Sequence, residues 1–265
     1  MKDLHIHIER GNYTVEWIEK FINQAVKMNI NEINLLEHTI RIKEFHPCFE
    51  EAQNYNSYQK KWVSEKKKTA VSLAEFKELQ SKIQARSYPV KVNFGLEVCY
   101  FEQHEDLIGS LLNKAKLDYV LGSVHWVDNW TFNQRKYQWL GRNTDEIYKR
   151  YFELEISAAK SGMFNSIAHP DLIMCHSIFP KTSLEPYYGS LCDAAKSTST
   201  ALEMNTSRYW KKSTPFCGLN PELLKAAGES GVLLSTGSDA HRPEDVGKGI
   251  KEAEAICRRF CSPGL

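Results

Sequence analysis

Two histidines separated by one residue, His5 and His7, stand at the start of the chain in Asp3-Leu-His-Ile-His. On a β-strand, residues i and i+2 point to the same face, so the pair presents two imidazoles side by side. That spacing suits one metal ion bound through nitrogen at about 2.0–2.2 Å. Asp239-Ala-His241 repeats the spacing with a carboxylate. Either pair alone also fits an exposed strand face. The distribution of such residues carries more. Of the nine histidines, His5, His7, His38, His125, His169 and His241 fall at the ends of candidate strands. His46, His104 and His176 fall elsewhere and read as structural or surface residues, with His46 in reach only if its segment folds over the site.

The combined ligand set is His5, His7, His38, Glu97, His125, His169, Asp239 and His241. It is rich in imidazole, holds few carboxylates and no thiolate, and so suits Zn, Fe or Mn rather than Ca. It is too large for one four-coordinate ion. Two or three divalent metal ions are implied, with one carboxylate bridging. Glu97 is the bridge candidate, because its strand lies between those carrying His5/His7 and His125.

The elements that must position these residues alternate along the chain. Short apolar runs at 2–7, 32–37, 90–98, 117–124, 165–168, 201–205 and 232–236 read as strands. Helical periodicity marks 14–28, 73–84, 104–116, 144–161, 184–196, 221–229 and 243–260, with Thr14 a plausible cap and Pro221 and Pro243 suited to first turns. Seven strand–helix units argue for a parallel sheet, closed as a barrel or open and doubly wound. The polar residues favour the barrel, whose strand ends converge on one mouth. Residues 39–70 break the rhythm and read either as a lid or as a peripheral insertion with its own helix; Lys66–Lys68 reads as a solvated helix face.

The 265 residues suffice for a barrel of one domain, and the net charge of +1 offers no basis for a nucleic-acid or membrane surface built on charge. No run approaches the ~20 apolar residues that span a bilayer, and no signal segment precedes Asp3. Seven cysteines, without C-x-x-C pairs, point to a reduced, cytoplasmic protein.

Taken in order, Asp3-Leu-His-Ile-His, Glu37-His38, Gly95-Leu-Glu97, Gly122-Ser-Val-His125, His169-Pro-Asp171, Glu203-Met-Asn205-Thr-Ser and Gly237-Ser-Asp239-Ala-His241 resemble the PHP family (polymerase and histidinol phosphatase), and within it the histidinol-phosphate phosphatase branch. The resemblance runs from residue 3 to about 247. It implies a distorted (β/α)7 barrel, a single domain over 1–265 with an inserted segment after the second strand. It further implies one ion on His5, His7, Glu97 and Asp239, a second on Glu97, His125 and His169, and a third on His38 and His241. Family members usually give the third ion another His, six residues after the second His of H-x-H; here Tyr13 holds that position and Glu9 is a possible substitute.

The implied reaction is hydrolysis of L-histidinol phosphate to L-histidinol and phosphate in histidine biosynthesis. A metal-bridging hydroxide would attack, with Asp239 taking its proton and His241 or the third ion serving the leaving oxygen. Arg208 is the candidate phosphate-binding cation. Glu203 and Asn205 read as partners of the metal histidines. The rivals are a PHP-type nuclease or a phosphoesterase on nucleotides or another small ester, an amidohydrolase, which would carry a bridging lysine at a strand end, and a metal-binding domain without activity.

Overall fold

The computed structural model describes residues 1–212 and 214–260. Seven strands form one parallel sheet: β1 (Lys2–His7), β2 (Glu32–His38), β3 (Lys91–Cys99), β4 (Tyr119–Ser123), β7 (Ser166–Ile167), β8 (Ala201–Asn205) and β9 (Leu234–Gly237). A short antiparallel hairpin, β5 (Trp126–Val127) and β6 (Trp130–Thr131), stands apart from it. Around the sheet lie α1 (Val15–Lys27), α2 (Glu50–Asn54), α3 (Ser57–Lys68), α4 (Leu73–Gln84), α5 (Glu105–Ala115), α6 (Thr144–Lys160), α7 (Glu185–Ser197), α8 (Ser207–Lys212), α9 (Pro221–Ser230) and α10 (Ile250–Phe260).

The order β1-β2-β3-β4-β7-β8-β9 never reverses, which decides against a doubly wound sheet. The first and last strands meet at the mouth. Ile6 bridges Ala240, the Asp239 amide donates to the His5 carbonyl at 2.9 Å, and the His7 amide donates to the Ala240 carbonyl at 2.7 Å. Asp3 ties the same seam: its carboxylate accepts from the Ser238 amide, the Ser238 hydroxyl and the Gly247 amide at 2.6–2.9 Å. The chain is thus a nearly closed seven-stranded α/β barrel.

Local sequence explains the helices. In α1 the Thr14 hydroxyl accepts from the Trp17 amide, and Ile18, Phe21, Ile22 and Ala25 turn one apolar face to the sheet. Ser72 and Glu75 form a capping box on α4. Asn220 caps α9, with Pro221 in its first turn. Alternation along the strands sorts the layers. On β2, Ile33 and Leu35 belong to the large core, while Leu36 packs with Leu121, Ala168 and Tyr119 in a separate apolar cluster. That small cluster is the barrel interior on which the polar strand ends rest.

One expectation changes, and one open alternative is decided. The helix expected over 243–260 is a 3-10 turn at Pro243–Asp245 and then α10, because Gly247 and Gly249 take φ of +82° and +77° and interrupt the helical path. Residues 39–70 hold two 3-10 turns, α2 and α3, so the segment is an insertion with its own helices, and it forms a wall beside the cavity. Phe49 packs on Phe101 and Trp126, and Trp62 packs on Trp126. The fully buried Gln59 amide donates to the Ala52 and Asn129 carbonyls and accepts from the Thr131 amide, so the wall is bonded to the hairpin.

Candidate metal centre

The strands deliver their ligands by register. His38 on β2 is the direct cross-strand partner of Glu97 on β3. His5 and His7 share the inward face of β1. Glu97 is 1 % exposed and stands at the centre. Its Oε2 lies 2.7 Å from His38 Nδ1, 3.3 Å from His7 Nε2 and 3.7 Å from His5 Nε2. Its Oε1 lies 3.0 Å from His169 Nε2 and 3.6 Å from His125 Nε2. One carboxylate therefore faces five imidazoles, one oxygen to each side, which is the geometry a bridging carboxylate needs.

Three groups of side chains converge closely enough to hold an ion each: His5, His7 and Glu97; Glu97, His125 and His169; and His7, Glu9, His38 and His241. Asp239 reaches the first and third groups, with Oδ1 3.8 Å from His7 Nε2 and 3.3 Å from His241 Nδ1. Glu9 lies 3.9 Å from His7 Nδ1 and 3.6 Å from His241 Nε2. Tyr13 does not join; its hydroxyl donates to Glu37.

The donor atoms fit divalent ions. The Glu203 carboxylate sits 2.7 Å from His5 Nδ1, and a buried carboxylate there holds the proton on Nδ1. The His5 Nε2 lone pair then points at His7 Nε2, 2.8 Å away, an approach that two imidazoles share readily only around a cation. Buried polar atoms left without hydrogen-bond partners include Glu9 Oε2 and His7 Nδ1. Such atoms are costly unless something else binds them.

The electrostatics divide the imidazoles: burial works against the charge on His5 and His169, but the Glu97 and Glu203 carboxylates raise both, while burial keeps others neutral. Burial opposes the Glu97 charge, but His38, His125 and His169 outweigh it and hold the carboxyl well below its ordinary range. Burial lowers His38 too, yet Glu97 raises it to about 9. Burial lowers His7 and His125 to about 3, which keeps both imidazoles neutral as ligands must be. Two ligands have left-handed backbones, His169 at φ +31° and Asp239 at φ +53°, and such strain in non-glycine residues concentrates at functional sites. Gly237 is required by close approach: a Cβ there would overlap the Glu203 carboxylate and the His5 side chain.

A cavity of about 370 Å³ opens above the centre, lined by Glu9, His38, Glu97, His125, His169, Asp239 and His241 together with Phe49, Trp62 and Trp126 of the wall and hairpin. All eight residues read from the sequence as ligands converge on this centre, six of them lining the cavity and His5 and His7 beneath it beside Glu97. Arg208 does not. Its guanidinium is turned to Asp171, with NH1 3.4 Å from Oδ1 and 3.3 Å from the carbonyl, and lies over Phe216. Asp171 captures it before it can face the cavity. His46, His104 and His176 also lie outside the cavity lining. Lys66, read as solvated, lines the cavity, while Lys67 donates to Gln53. Glu203 is confirmed beside His5 and also accepts from the His169 amide at 2.8 Å.

Sequence reasoning gave Glu9 only as an alternative. Its signal was position: two residues past His7 on the strand's inward alternation, where the chain is just leaving β1.

The family profile described as the PHP domain matches residues 3–207. A protein named "Probable histidinol-phosphatase" from Deinococcus radiodurans is 30% identical over 202 residues, 75% of this chain and 74% of that one. One of the same name from Schizosaccharomyces pombe is 24% identical, covering 87% of this chain and 76% of that one. Among solved structures, histidinol phosphate phosphatase from Lactococcus lactis, complexed with zinc, L-histidinol and phosphate, superposes with a TM-score of 0.67 at 17% identity, covering 100% of this chain and 95% of that one. The putative histidinol phosphatase from Listeria monocytogenes gives 0.70 at 16%, covering 95% and 99%. These two likenesses establish the fold. The profile and the Deinococcus relative establish the lineage: this chain belongs to the PHP domain family.

Proposed function

We propose that this chain is a metal-dependent phosphatase that hydrolyses L-histidinol phosphate to L-histidinol and phosphate. The observation that carries the reading is Glu97, one buried carboxylate facing five imidazoles at the floor of a cavity sized for a small ester. The relatives' names and the match over three quarters of the chain supply the substrate.

His5, His7, Glu97 and Asp239 would hold one ion, and Glu97, His125 and His169 a second. His38, His241 and Glu9 would hold a third, with Glu9 in place of the usual His. When bound, such ions activate water and neutralise phosphoryl oxygens. Nitrogen and oxygen donors of this kind suit Zn, Fe or Mn.

The chain's own residues do the rest. Burial works against the Asp239 charge, but Lys211, His5 and His241 hold the carboxyl well below its ordinary range. It is therefore ionised; at the cavity wall it would orient the attacking water and take the proton that becomes acidic as the water's oxygen bonds to phosphorus. The Asp239 carbonyl lies 3.0 Å from His241 Nδ1, fixing that nitrogen as the donor and leaving Nε2 for the third ion or the leaving oxygen. The aromatic wall of Trp62 and Trp126 offers the flat apolar surface that an imidazole ring packs against.

No helix among the described residues is long and apolar enough to cross a membrane. The test is phosphate release by the metal-loaded protein from L-histidinol phosphate, compared with release from a short DNA 3′ end and from nucleotides. Turnover of the first alone supports the reading; turnover of DNA alone refutes it.

A further inference from the structure

With Arg208 engaged by Asp171, the phosphate needs another partner. Three cations line the cavity: Arg10, Arg41 and Lys66. Among the described residues none of them makes an ion pair, whereas Arg208 is paired at 3.4 Å. Arg41 follows His38 by three residues, at the end of a 3-10 turn. Its guanidinium is pinned by one bond, NH1 to the Thr69 hydroxyl at 2.8 Å, and its Nε is buried with no partner. Lys66 comes from the far end of the inserted wall, its ammonium over the Trp62 ring at 5.5 Å. Burial lowers the Lys66 pKa, and Arg41 pushes the same way while Glu9 and Glu37 oppose. Lys66 and Arg41 both line the cavity, as does Glu9 of the third group of ligand-type side chains. Unpaired, partly desolvated cations are costly to keep beside each other, and an anion between them removes the cost.

We propose that Arg41 and Lys66, both supplied by the segment inserted after β2, form the binding site for the outward oxygens of the substrate's phosphoryl group. The proposal rests on the phosphatase reading for its substrate, but the anion site is defined by its own residues. Arg41 contributes a guanidinium anchored on the Thr69 hydroxyl and Lys66 a flexible point charge, so phosphate enters between the metal floor and the inserted wall. The insertion is then part of the recognition machinery. Its bonds through Gln59 to the hairpin keep the two cations in register with the ligands.

The test uses the full chain, metal-loaded, as Lys66→Met, Arg41→Met and the double variant, with Lys66→Arg as the conservative control. Inorganic phosphate binding is measured by calorimetry. KM and kcat are measured with L-histidinol phosphate, and melting temperature and metal content are followed in parallel. Each Met variant is expected to weaken phosphate binding and raise KM by about 10-fold, with kcat changing less and metal content unchanged. Lys66→Arg should stay within about threefold of the parent, since the charge is kept. Unchanged phosphate affinity in the folded, metal-loaded double variant overturns the proposal. If the parent protein binds phosphate through these cations yet does not hydrolyse L-histidinol phosphate, the anion site stands and the substrate reading falls.

Discussion

Glu203→Gln tests the way the fold prepares its metal ligands. Glu203 is 1 % exposed and accepts from three donors: His5 Nδ1 at 2.7 Å, the His169 amide at 2.8 Å and the Asn205 side-chain amide at 3.1 Å. Glutamine keeps the shape but has one oxygen. If that oxygen stays toward His169 and Asn205, its NH2 faces His5 Nδ1. The imidazole must then carry its proton on Nε2, and the lone pair aimed at the metal site is lost. If it turns the other way, the His169 amide and the Asn205 amide meet a donor instead of an acceptor. A buried donor left unpaired costs about 1–3 kcal/mol. Loss of such a supporting carboxylate typically lowers metal affinity by about 10–100-fold, or roughly 1.4–2.8 kcal/mol. The assay is a competition titration against a chelator of known affinity, with melting temperature recorded with and without metal. The variant should release its most weakly held ion at least about tenfold more readily and gain less stability from metal. Metal affinity within about threefold of the parent would refute the reasoning that Glu203 fixes the His5 tautomer.

Other perturbations separate the remaining roles. Glu9→Gln should lower metal content by one ion per chain without emptying the groups that share Glu97, which elemental analysis reads directly; full content would show that Glu9 is not a ligand. Asp239→Asn should reduce turnover by about 100-fold or more through loss of the proton acceptor, and unchanged kcat with full metal content would remove that role. Glu155 is fully buried beside Tyr151, and burial raises its pKa to about 8. The folded state therefore holds this proton more tightly than the unfolded chain. Its contribution falls by about 1.4 kcal/mol per pH unit between the ordinary carboxyl range and about 8. Glu155→Gln should flatten that decline in urea midpoints between pH 5.5 and 7.5, and parallel curves for the two proteins would contradict it.

The ligands were legible because their register is local. His5 and His7 share a strand face, and a Glu or His at the end of each later run points to the same mouth once the sheet closes. What sequence did not decide depends on contacts between distant segments. Arg208 reads as a free cation until Asp171, 37 residues earlier, is found holding it. Lys66 reads as a solvated helix residue until α3 folds against the hairpin, and that hairpin was itself too short to show as an alternation. The 243–260 helix broke at two glycines whose positive φ no periodicity count weighs.

Metal content per chain in the purified protein, measured on the same sample as phosphate release from L-histidinol phosphate before and after chelation, tests whether a multinuclear centre bridged by Glu97 carries phosphate-ester hydrolysis. At least two divalent ions per chain are expected, with activity that disappears as they are removed and recovers when they are restored. Full turnover with fewer than two ions bound would contradict it.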